Sequence, residues 1–380
     1  MRRVILSTIG TSLLTNQIIR ANPEEEDWYS QLRDTANLNE KDTPENVKKI
    51  ISTLEERANK QLNNVQIPQI RRASAELNGI YGVYQEDLSQ GKEDYHFLIA
   101  TDTIQGKITA QIVENFLRKQ GLTNTSIYAP SGLSTASTEA FSVGIDDLIV
   151  WLQETIPPLR ESQYKICFNL VGSFKSLQGY LNTIGMFYAD EIIYIFEGKK
   201  SDLITIPRLP ISVDTSLFKP YTMQLALLNA GAGLSPQETN GIPETMLGEV
   251  DGKMTLSTWG QLIWNQCKDD LLAGDLIPFS RLEYQDSFRA DYNRVREKYK
   301  RVKLQETLAN VSRLLNESNG DTAVLKQDGG GIKYSKLKNQ GNIDHFRITQ
   351  SVRVTCVSSQ GKLNLHHYGE QHDDINNNPY

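Results

Sequence analysis

The sequence predicts an α/β protein with a parallel sheet in the first part of the chain, followed by a helical extension and a small α+β domain. Two observations favour this fold class. Short apolar, β-branched runs alternate with helical stretches over roughly the first 200 residues, and the last hundred residues contain two helical stretches followed by strands. Strands that alternate with helices of ten or more residues form parallel sheets that helices cover on both faces.

The predicted strands of the first domain are short apolar runs that end at polar residues or at glycine. They cover residues 4–9, 95–100, 125–129, 164–170 and 191–196. Gly10 breaks the first run and Gly172 breaks the fourth, as expected where a strand gives way to a loop. Helical patterns lie between the strands, in residues 22–64, 108–119, 145–152 and 176–188.

Breaks rich in glycine and proline divide the rest of the chain. The segment after residue 215 is more helical, and the break at residues 273–278 marks a domain boundary. Beyond this break we predict two basic helices and then three antiparallel strands, at residues 288–299, 302–315, 346–348, 352–357 and 362–368. Residues 358–361 form the predicted hairpin turn. The predicted domains are residues 1–215, 216–277 and 278–380.

The net charge of −6 conceals an asymmetry along the chain. From Phe279 to the end there are 16 Lys and Arg against 12 Asp and Glu, whereas the remainder has 24 against 34. Four of the five histidines also lie in this last segment. A basic, histidine-rich segment after an acidic body indicates that polyanion chemistry is concentrated near the C-terminus. A solvated basic face without a partner is the alternative.

Composition also argues against several classes of protein. No run of about 18 apolar residues exists, so we predict no membrane span. The apolar stretch after Arg3 is too short for a signal peptide. The three cysteines, Cys167, Cys267 and Cys356, are widely spaced and form no C-x-x-C pair. We expect buried thiols in a reducing compartment, and therefore a cytoplasmic protein.

Two strand-to-loop junctions of the first domain have similar residues. Gly10-Thr11-Ser12 follows the first strand, and Gly172-Ser173-Phe174-Lys175 follows the fourth. The carboxyl ends of parallel strands share one edge of the sheet, where ligands bind in such folds. Backbone N–H groups, hydroxyls and a lysine at this edge suit an anion. The alternative is that both junctions are tight turns that cap helices, and neither has the spacing of a P-loop or of G-x-G-x-x-G.

The C-terminal segment combines histidines with arginines: His345, Arg347, Arg353, His366, His367 and His372. Cleavage of RNA without a metal needs a base, cations and an acid, which these side chains can supply. Core or surface histidines are the plain alternative. A zinc site formed by the last three histidines is a further one, but adjacent histidines on a strand point to opposite faces.

Residues 7–14 (STIGTSLL) and 169–175 (NLVGSFK) resemble the CARF family, the CRISPR-associated Rossmann-like sensors, and most closely its ring nuclease branch. The similarity covers roughly residues 1–200. It implies a homodimer with a composite pocket for cyclic tetra-adenylate as activator, with no cofactor and no metal. The residues that it assigns to the ligand are Gly10, Thr11, Ser12, Gly172, Ser173 and Lys175, and at a further ligand-facing loop Thr103 and Gln105. In ring nucleases the positions of Ser12 and Lys175 also help to cleave the cyclic phosphodiester.

Residues 288–292 (FRADY), 345–348 (HFRI), 352–354 (VRV) and 368–373 (YGEQHD) resemble the RelE/ParE superfamily. The similarity implies an mRNA interferase that cuts mRNA in the ribosomal A site. It assigns phosphate binding to Arg353, a role at the 2′-hydroxyl to Arg347, a second basic position to His345, and acid or charge stabiliser to His372. The family's aromatic residue beyond the last position is not matched, so Tyr368 and Tyr380 are the candidates for base stacking.

Together the two similarities resemble CARF–RelE fusions, the mRNA interferases of type III CRISPR immunity. They imply an endoribonuclease that cyclic oligoadenylate activates and that depends on the ribosome, with possible docking on the ribosomal stalk protein. Two alternatives remain open. One is a ring nuclease with an inert RelE-like appendage, and the other is a regulator that binds nucleic acid without cutting it, since ParE-type members do not cleave RNA.

Overall fold

The computed structural model describes residues 1–64, 66–172, 175–195, 202–326, 332–337 and 342–370. The chain divides into two compact units, Met1–Ile211 and Ser212–Tyr380. The α/β class predicted from the sequence is confirmed, because the first unit contains a mostly parallel sheet and the second is α+β. No helix among the described residues is long and apolar enough to cross a membrane.

The first unit contains a six-stranded sheet in the order β3-β2-β1-β4-β5-β6. Its strands are β1 (Arg3–Thr8), β2 (Tyr95–Ile99), β3 (Thr125–Tyr128), β4 (Lys165–Asn169), β5 (Glu191–Ile195) and β6 (Leu203–Pro207). The five predicted strands are confirmed, and all of them are parallel. The unpredicted β6 is antiparallel to β5 at the sheet edge. An edge strand that needs no crossover helix leaves no strand–helix alternation in the sequence.

The helices of the first unit cover this sheet. They are α1 (Ser12–Thr15), α2 (Trp28–Asp34), α3 (Glu45–Asn64), α4 (Ile67–Ala73), α5 (Ala75–Val83), α6 (Ile104–Lys119), α7 (Thr138–Glu161) and α8 (Lys175–Tyr188). Ser74 begins α5 as its N-cap, because its hydroxyl accepts a hydrogen bond of 3.1 Å from the Leu77 N–H. Helices α4 and α5 were not predicted from the sequence, and α5 is central to the first candidate site.

The strand order places the two similar loops beside each other. β1 pairs with β2 on one side and with β4 on the other, in parallel on both sides. The chain therefore reverses its direction of travel across the sheet between β1 and β4. In open α/β sheets this reversal opens a crevice at the carboxyl ends of the two strands. One loop follows β1 and begins at Gly10, and the other follows β4 and ends at Lys175. Both loops leave the sheet at this crevice.

The second unit contains a five-stranded sheet in the order β10-β11-β12-β13-β9. The hairpin of β7 (Leu247–Val250) and β8 (Lys253–Leu256) precedes it, and its strands are β9 (Leu282–Tyr284), β10 (Ser335–Lys336), β11 (Asp344–Arg347), β12 (Val352–Ser359) and β13 (Lys362–Glu370). The three predicted strands are confirmed as β11, β12 and β13. Gln360 and Gly361 join the last two with φ values of 51° and 72°, as a two-residue type I′ turn requires.

One hydrophobic core joins the helices of the second unit to one face of its sheet. The helices are α9 (Thr222–Asn229), α10 (Thr258–Leu272), α11 (Asp286–Arg294) and α12 (Lys298–Glu317). Trp264 of α10 and Leu308 of α12 are fully buried in the same cluster as Phe346 and Val354 of the sheet. Residues from the predicted extension and from the predicted C-terminal domain thus share this core.

Candidate functional site

A hydrogen bond joins the two sides of the crevice in the first unit. The Thr8 hydroxyl, at the end of β1, donates a hydrogen bond to the Gly172 carbonyl oxygen, which follows β4. Both residues are buried. The structure therefore brings Gly10 and Gly172, which the sequence assigned to one site, to the same place.

A buried carboxylate from α5 lies between these loops. Glu76 Oε1 accepts a hydrogen bond of 2.7 Å from the Gly10 N–H, and Oε2 accepts one of 2.6 Å from the Ser74 hydroxyl. A Cβ atom on Gly172 would lie only 2.3 Å from Glu76 Oε1. The carboxyl is inaccessible to solvent, and this burial raises the pKa of Glu76 above its usual range.

Asn169 at the end of β4 extends the same polar network. Its Nδ2 atom donates hydrogen bonds of 3.0 Å to the Ser7 hydroxyl and to the Glu76 carbonyl oxygen. A Cβ atom on Gly79 of α5 would lie 2.0 Å from Asn169 Oδ1. The first turns of α5 therefore fit closely against the ends of β1 and β4, and they fix the positions from which the two loops start.

Three predicted ligand residues lie on the loops themselves. Thr11 immediately precedes α1, and Ser12 is its first residue. Ser12 Oγ is buried and has no hydrogen-bond partner among the described residues. Lys175 is the exposed first residue of α8. A hydroxyl without a partner and an exposed ammonium at the mouth of a crevice suit an anionic ligand. Ser173, the remaining predicted residue of these loops, lies outside the described residues.

Thr103 and Gln105 have internal partners instead. Thr103 is buried, and its hydroxyl caps α6 by accepting a hydrogen bond of 3.1 Å from the Gly106 N–H. Gln105 is also buried, and its Nε2 atom donates a hydrogen bond of 2.8 Å to the Leu32 carbonyl oxygen in α2. These contacts fix the start of α6 against its neighbours, and they do not join the two side chains to the loops of the crevice.

The second candidate site is one face of the sheet in the second unit. His345 lies opposite Thr355, and Thr355 lies opposite His367, while Arg347 lies opposite Arg353. Directly paired residues and residues two apart share a face of a sheet. We call these five residues the cationic face. The intervening residues Phe346, Val354 and Cys356 are buried in the hydrophobic core on the other face.

Two arginines lie directly opposite each other on the cationic face. Like charges in such a cross-strand pair are destabilising unless an anion offsets them. Among the described side chains no carboxylate forms a salt bridge with Arg347 or Arg353. Arg353 Nε is buried and has no hydrogen-bond partner within the described ranges. Burial and the charge of Arg347 lower the pKa of Arg353 from its usual value. The pair therefore has the charge and geometry of a phosphate site.

His345 is placed beside this arginine pair. It is buried, and its Nε2 atom lies 3.5 Å from the Ser335 hydroxyl of β10. Burial, Arg353 and Arg347 lower the pKa of His345, in that order of importance. The three causes favour a neutral ring at neutral pH, which is the form that accepts a proton.

His367 was not assigned to the site from the sequence, although it completes the row. Its ring Nδ1 atom lies 2.7 Å from Asp291 Oδ2 of α11. Its backbone N–H donates a hydrogen bond of 3.1 Å to the Thr355 hydroxyl. Asp291 Oδ2 also accepts a hydrogen bond of 3.2 Å from the Tyr368 N–H. A strand signal alone could not reveal this pair, because 75 residues separate its members along the chain.

A β-bulge in β13 explains why simple alternation assigns His366 and His367 to opposite faces of the sheet incorrectly. Thr355 pairs with His367 and Cys356 pairs with Leu365, so His366 is the extra residue. Both histidines are half-buried and lie between the buried Leu365 and Tyr368. The bulge removes the alternation on which the argument against zinc depended. In the described part of the chain, no group of three histidine, cysteine or acidic side chains could hold a metal ion.

Two other predictions for this site have different outcomes. His372 and Tyr380 lie outside the described residues. Tyr368 belongs to the buried core, on the face opposite the arginines, and therefore cannot stack on a base held at the cationic face. The aromatic partner expected from the RelE resemblance is thus absent from this position.

One comparison with known families bears on the first unit. Residues 71–209 match the model of a family described as CRISPR-associated protein (Cas_APE2256). The matched stretch contains Glu76, Asn169, Gly172 and Lys175, and so it includes α5 and the second loop of the crevice. The match makes this stretch similar to CRISPR-associated proteins and supports a role in CRISPR defence.

Proposed function

We propose that this protein is an endoribonuclease of CRISPR defence that binds a cyclic oligoadenylate in its first unit and cuts ribosome-bound mRNA with its second. The observation that carries the proposal is the Arg347–Arg353 pair beside His345. Two guanidinium groups without a carboxylate partner among the described residues suit a phosphodiester. A neutral histidine next to them suits removal of a proton from a 2′-hydroxyl.

The proposed reaction needs no metal ion. His345 takes the proton of the ribose 2′-hydroxyl, and the 2′-oxygen attacks the adjacent phosphorus. Arg353 and Arg347 stabilise the negative charge that develops on the phosphorane. The bond from phosphorus to the 5′-oxygen breaks, which leaves a 2′,3′-cyclic phosphate on one product and a 5′-hydroxyl on the other. The RelE resemblance assigns the proton donor to His372.

The crevice of the first unit supports the sensor part of the proposal. The Ser12 hydroxyl, which has no hydrogen-bond partner within the described part of the chain, and the exposed Lys175 suit a phosphodiester, and the family match covers the second loop. Activation requires that the ligand bind the active arrangement more tightly than the resting one. We expect cyclic tetra-adenylate to be the activator on the resemblance to CARF sensors.

The experiment that tests the proposal maps mRNA 5′ ends in translating ribosomes incubated with the full chain, with and without cyclic tetra-adenylate. We expect cuts that require both the activator and Arg353, so Arg353→Ala should abolish them. Lys362→Ala is the matched control, because Lys362 lies on β13 outside the cationic face and pairs with Glu283 at 2.7 Å. Absence of cuts with wild type, ribosomes, mRNA and activator all present would favour a regulator that does not cleave.

A ring nuclease is the second candidate, favoured by Ser12 and Lys175 in one crevice. Incubation of labelled cyclic tetra-adenylate with the protein in the absence of ribosomes tests it. Degradation that Lys175→Ala abolishes and Arg353→Ala leaves unchanged would assign this activity to the first unit. If mRNA cleavage is absent in the same preparation, degradation of the ligand becomes the main function.

A further inference from the structure

Two histidines flank the centre of the cationic face. His345 on β11 and His367 on β13 both lie opposite Thr355 of the central strand β12. Their Cα atoms are therefore two strand spacings apart, roughly 10 Å. The Thr355 side chain is short, and its hydroxyl accepts the His367 N–H. A phosphodiester held by Arg347 and Arg353 would thus have one imidazole on each side.

The two imidazoles have opposite electrostatic surroundings. His345 is buried next to two guanidinium groups, which oppose a further positive charge. His367 Nδ1 lies 2.7 Å from the Asp291 carboxylate, and this contact fixes the orientation of the ring. Arg294 lies 3.3 Å from the other Asp291 oxygen. A pair of titratable groups in opposed surroundings is how acid and base roles are divided in an active site.

We infer that His367, positioned by Asp291, is the general acid of the cleavage reaction, an assignment that rests on the proposed function. The proton of the 2′-hydroxyl passes to His345 as the 2′-oxygen bonds to phosphorus. The bond from phosphorus to the 5′-oxygen breaks, and His367 Nε2 donates its proton to that oxygen. In-line displacement places the attacking and leaving oxygens on opposite sides of phosphorus. This arrangement matches the positions of His345 and His367 on the two strands that flank β12. Asp291 is a positioning residue, since it acts through His367.

The test uses the leaving group to separate acid catalysis from a structural role. The assay contains the full-length protein, cyclic tetra-adenylate, and ribosomes that carry a synthetic mRNA. At the mapped cleavage position this mRNA has either an ordinary linkage or a 5′-bridging sulfur. A thiolate leaves without a proton, whereas an alkoxide needs one. We expect His367→Asn to slow cleavage of the ordinary linkage by about 10²–10⁴-fold and to cleave the sulfur linkage within a few fold of wild type. Asparagine keeps an N–H donor for Asp291 but transfers no proton.

Three variants complete the design. Lys362→Ala alters a residue of β13 outside the cationic face, which pairs with Glu283 at 2.7 Å, and should leave both rates unchanged. Arg353→Ala should slow both linkages, because phosphorane charge develops with either leaving group. Asp291→Asn should give a smaller loss than His367→Asn on the ordinary linkage, with the same recovery on sulfur. Recovery on the sulfur linkage also demonstrates that a variant is folded.

The outcomes separate this inference from the proposed function. Equal losses on both linkages in His367→Asn, or no loss on either, overturn the assignment while Arg353-dependent cleavage upholds the function. Selective recovery in His372→Asn but not in His367→Asn transfers the acid role to His372 and overturns the assignment as well. If wild type cleaves neither linkage with activator present, the proposed function fails, and the role of His367 fails with it.

Discussion

Glu76 joins the residues that form the crevice of the first unit. A carboxyl that is fully buried among backbone atoms, a hydroxyl and a glycine has lost its hydration, and its ionised form is therefore disfavoured. It nevertheless receives hydrogen bonds from Gly10 and Ser74. Glu76 therefore packs between the two loops and keeps them at a fixed separation.

The buried carboxyl predicts a specific dependence of stability on pH. Because the folded pKa of Glu76 is raised, the unfolded chain loses this proton first as the pH rises above about 4.5. The unfolded state thus gains, and the contribution of Glu76 to stability is present below that pH and is lost as pH rises through the folded pKa. We expect Glu76→Gln, which has no such proton, to become more stable relative to wild type with rising pH, by up to about 1.4 kcal/mol per unit.

Urea unfolding of the full chain, with hydrogen exchange read on peptides of the first unit, measures this difference. Glu56→Gln, at an exposed position of α3, is the matched control. A constant difference between Glu76→Gln and wild type from pH 4.5 to pH 8 would mean that Glu76 is ionised in the folded state.

The hairpin of β12 and β13 is the element that builds the cationic face. Its register pairs Arg353 with Gly369 and Thr355 with His367, and a slip of one residue would turn these side chains into the core. The turn at Gln360 and Gly361 fixes that register through two left-handed residues. The bulge at His366 shifts the alternation by one residue, so that His367 lies opposite Thr355 and Tyr368 belongs to the core.

Glycine at position 361 is required for two reasons that substitution can separate. Its φ is 72°, and a Cβ there would lie 3.2 Å from Arg281 Nη1. Gly252, in the other two-residue turn, has a φ of 75° and nothing within 4 Å of its Cβ position. We expect Gly252→Ala to cost about 1 kcal/mol, because of the backbone alone, and Gly361→Ala to cost more. Urea unfolding of the two variants tests this, and equal losses would show that the Arg281 contact is irrelevant.

How much of each unit could be predicted from sequence differs by element. Strands β1 to β5 and β11 to β13 follow from apolar runs bounded by turn residues, which are local patterns. The edge strands β6, β9 and β10, the hairpin of β7 and β8, and the helices α4 and α5 were not predicted. The edge strands are short, and the position of α5 depends on contacts with Asn169 and Gly172, which lie about ninety residues further along the chain.

The candidate sites were predictable only in part for a related reason. The loop glycines and the arginines belong to recognisable local motifs, and so they could be named in advance. Glu76, Asp291 and the role of His367 depend on hydrogen bonds between distant segments. The bulge at His366 is a departure from alternation that the sequence does not announce. Thr103 and Gln105 have residue types that suit a ligand, but capping and packing occupy them in the fold.

At the scale of the whole molecule, the proposed ligand site and the proposed cleavage site belong to residues of different compact units. A ligand that binds only the folded state stabilises it by about 2.7 kcal/mol at a concentration one hundred times its Kd. We expect cyclic tetra-adenylate to raise the unfolding midpoint of the first unit in wild type and equally in Arg353→Ala. Lys175→Ala should lose most of this shift. Thermal unfolding with and without ligand measures it, and a lost shift in Arg353→Ala would contradict the separation.

The fit of α5 against β4 has a consequence for how this sequence can vary. Glu76 is large where Gly172 is small, and one helical turn later Gly79 is small where Asn169 is large. In each pair, the large side chain occupies the space that a side chain on the glycine would need. A larger residue at 172 is tolerable only with a smaller one at 76, and the same exchange holds for 79 and 169. Across related chains these two pairs of positions should therefore change together, and a library that randomises the second loop alone will recover almost exclusively glycine at position 172.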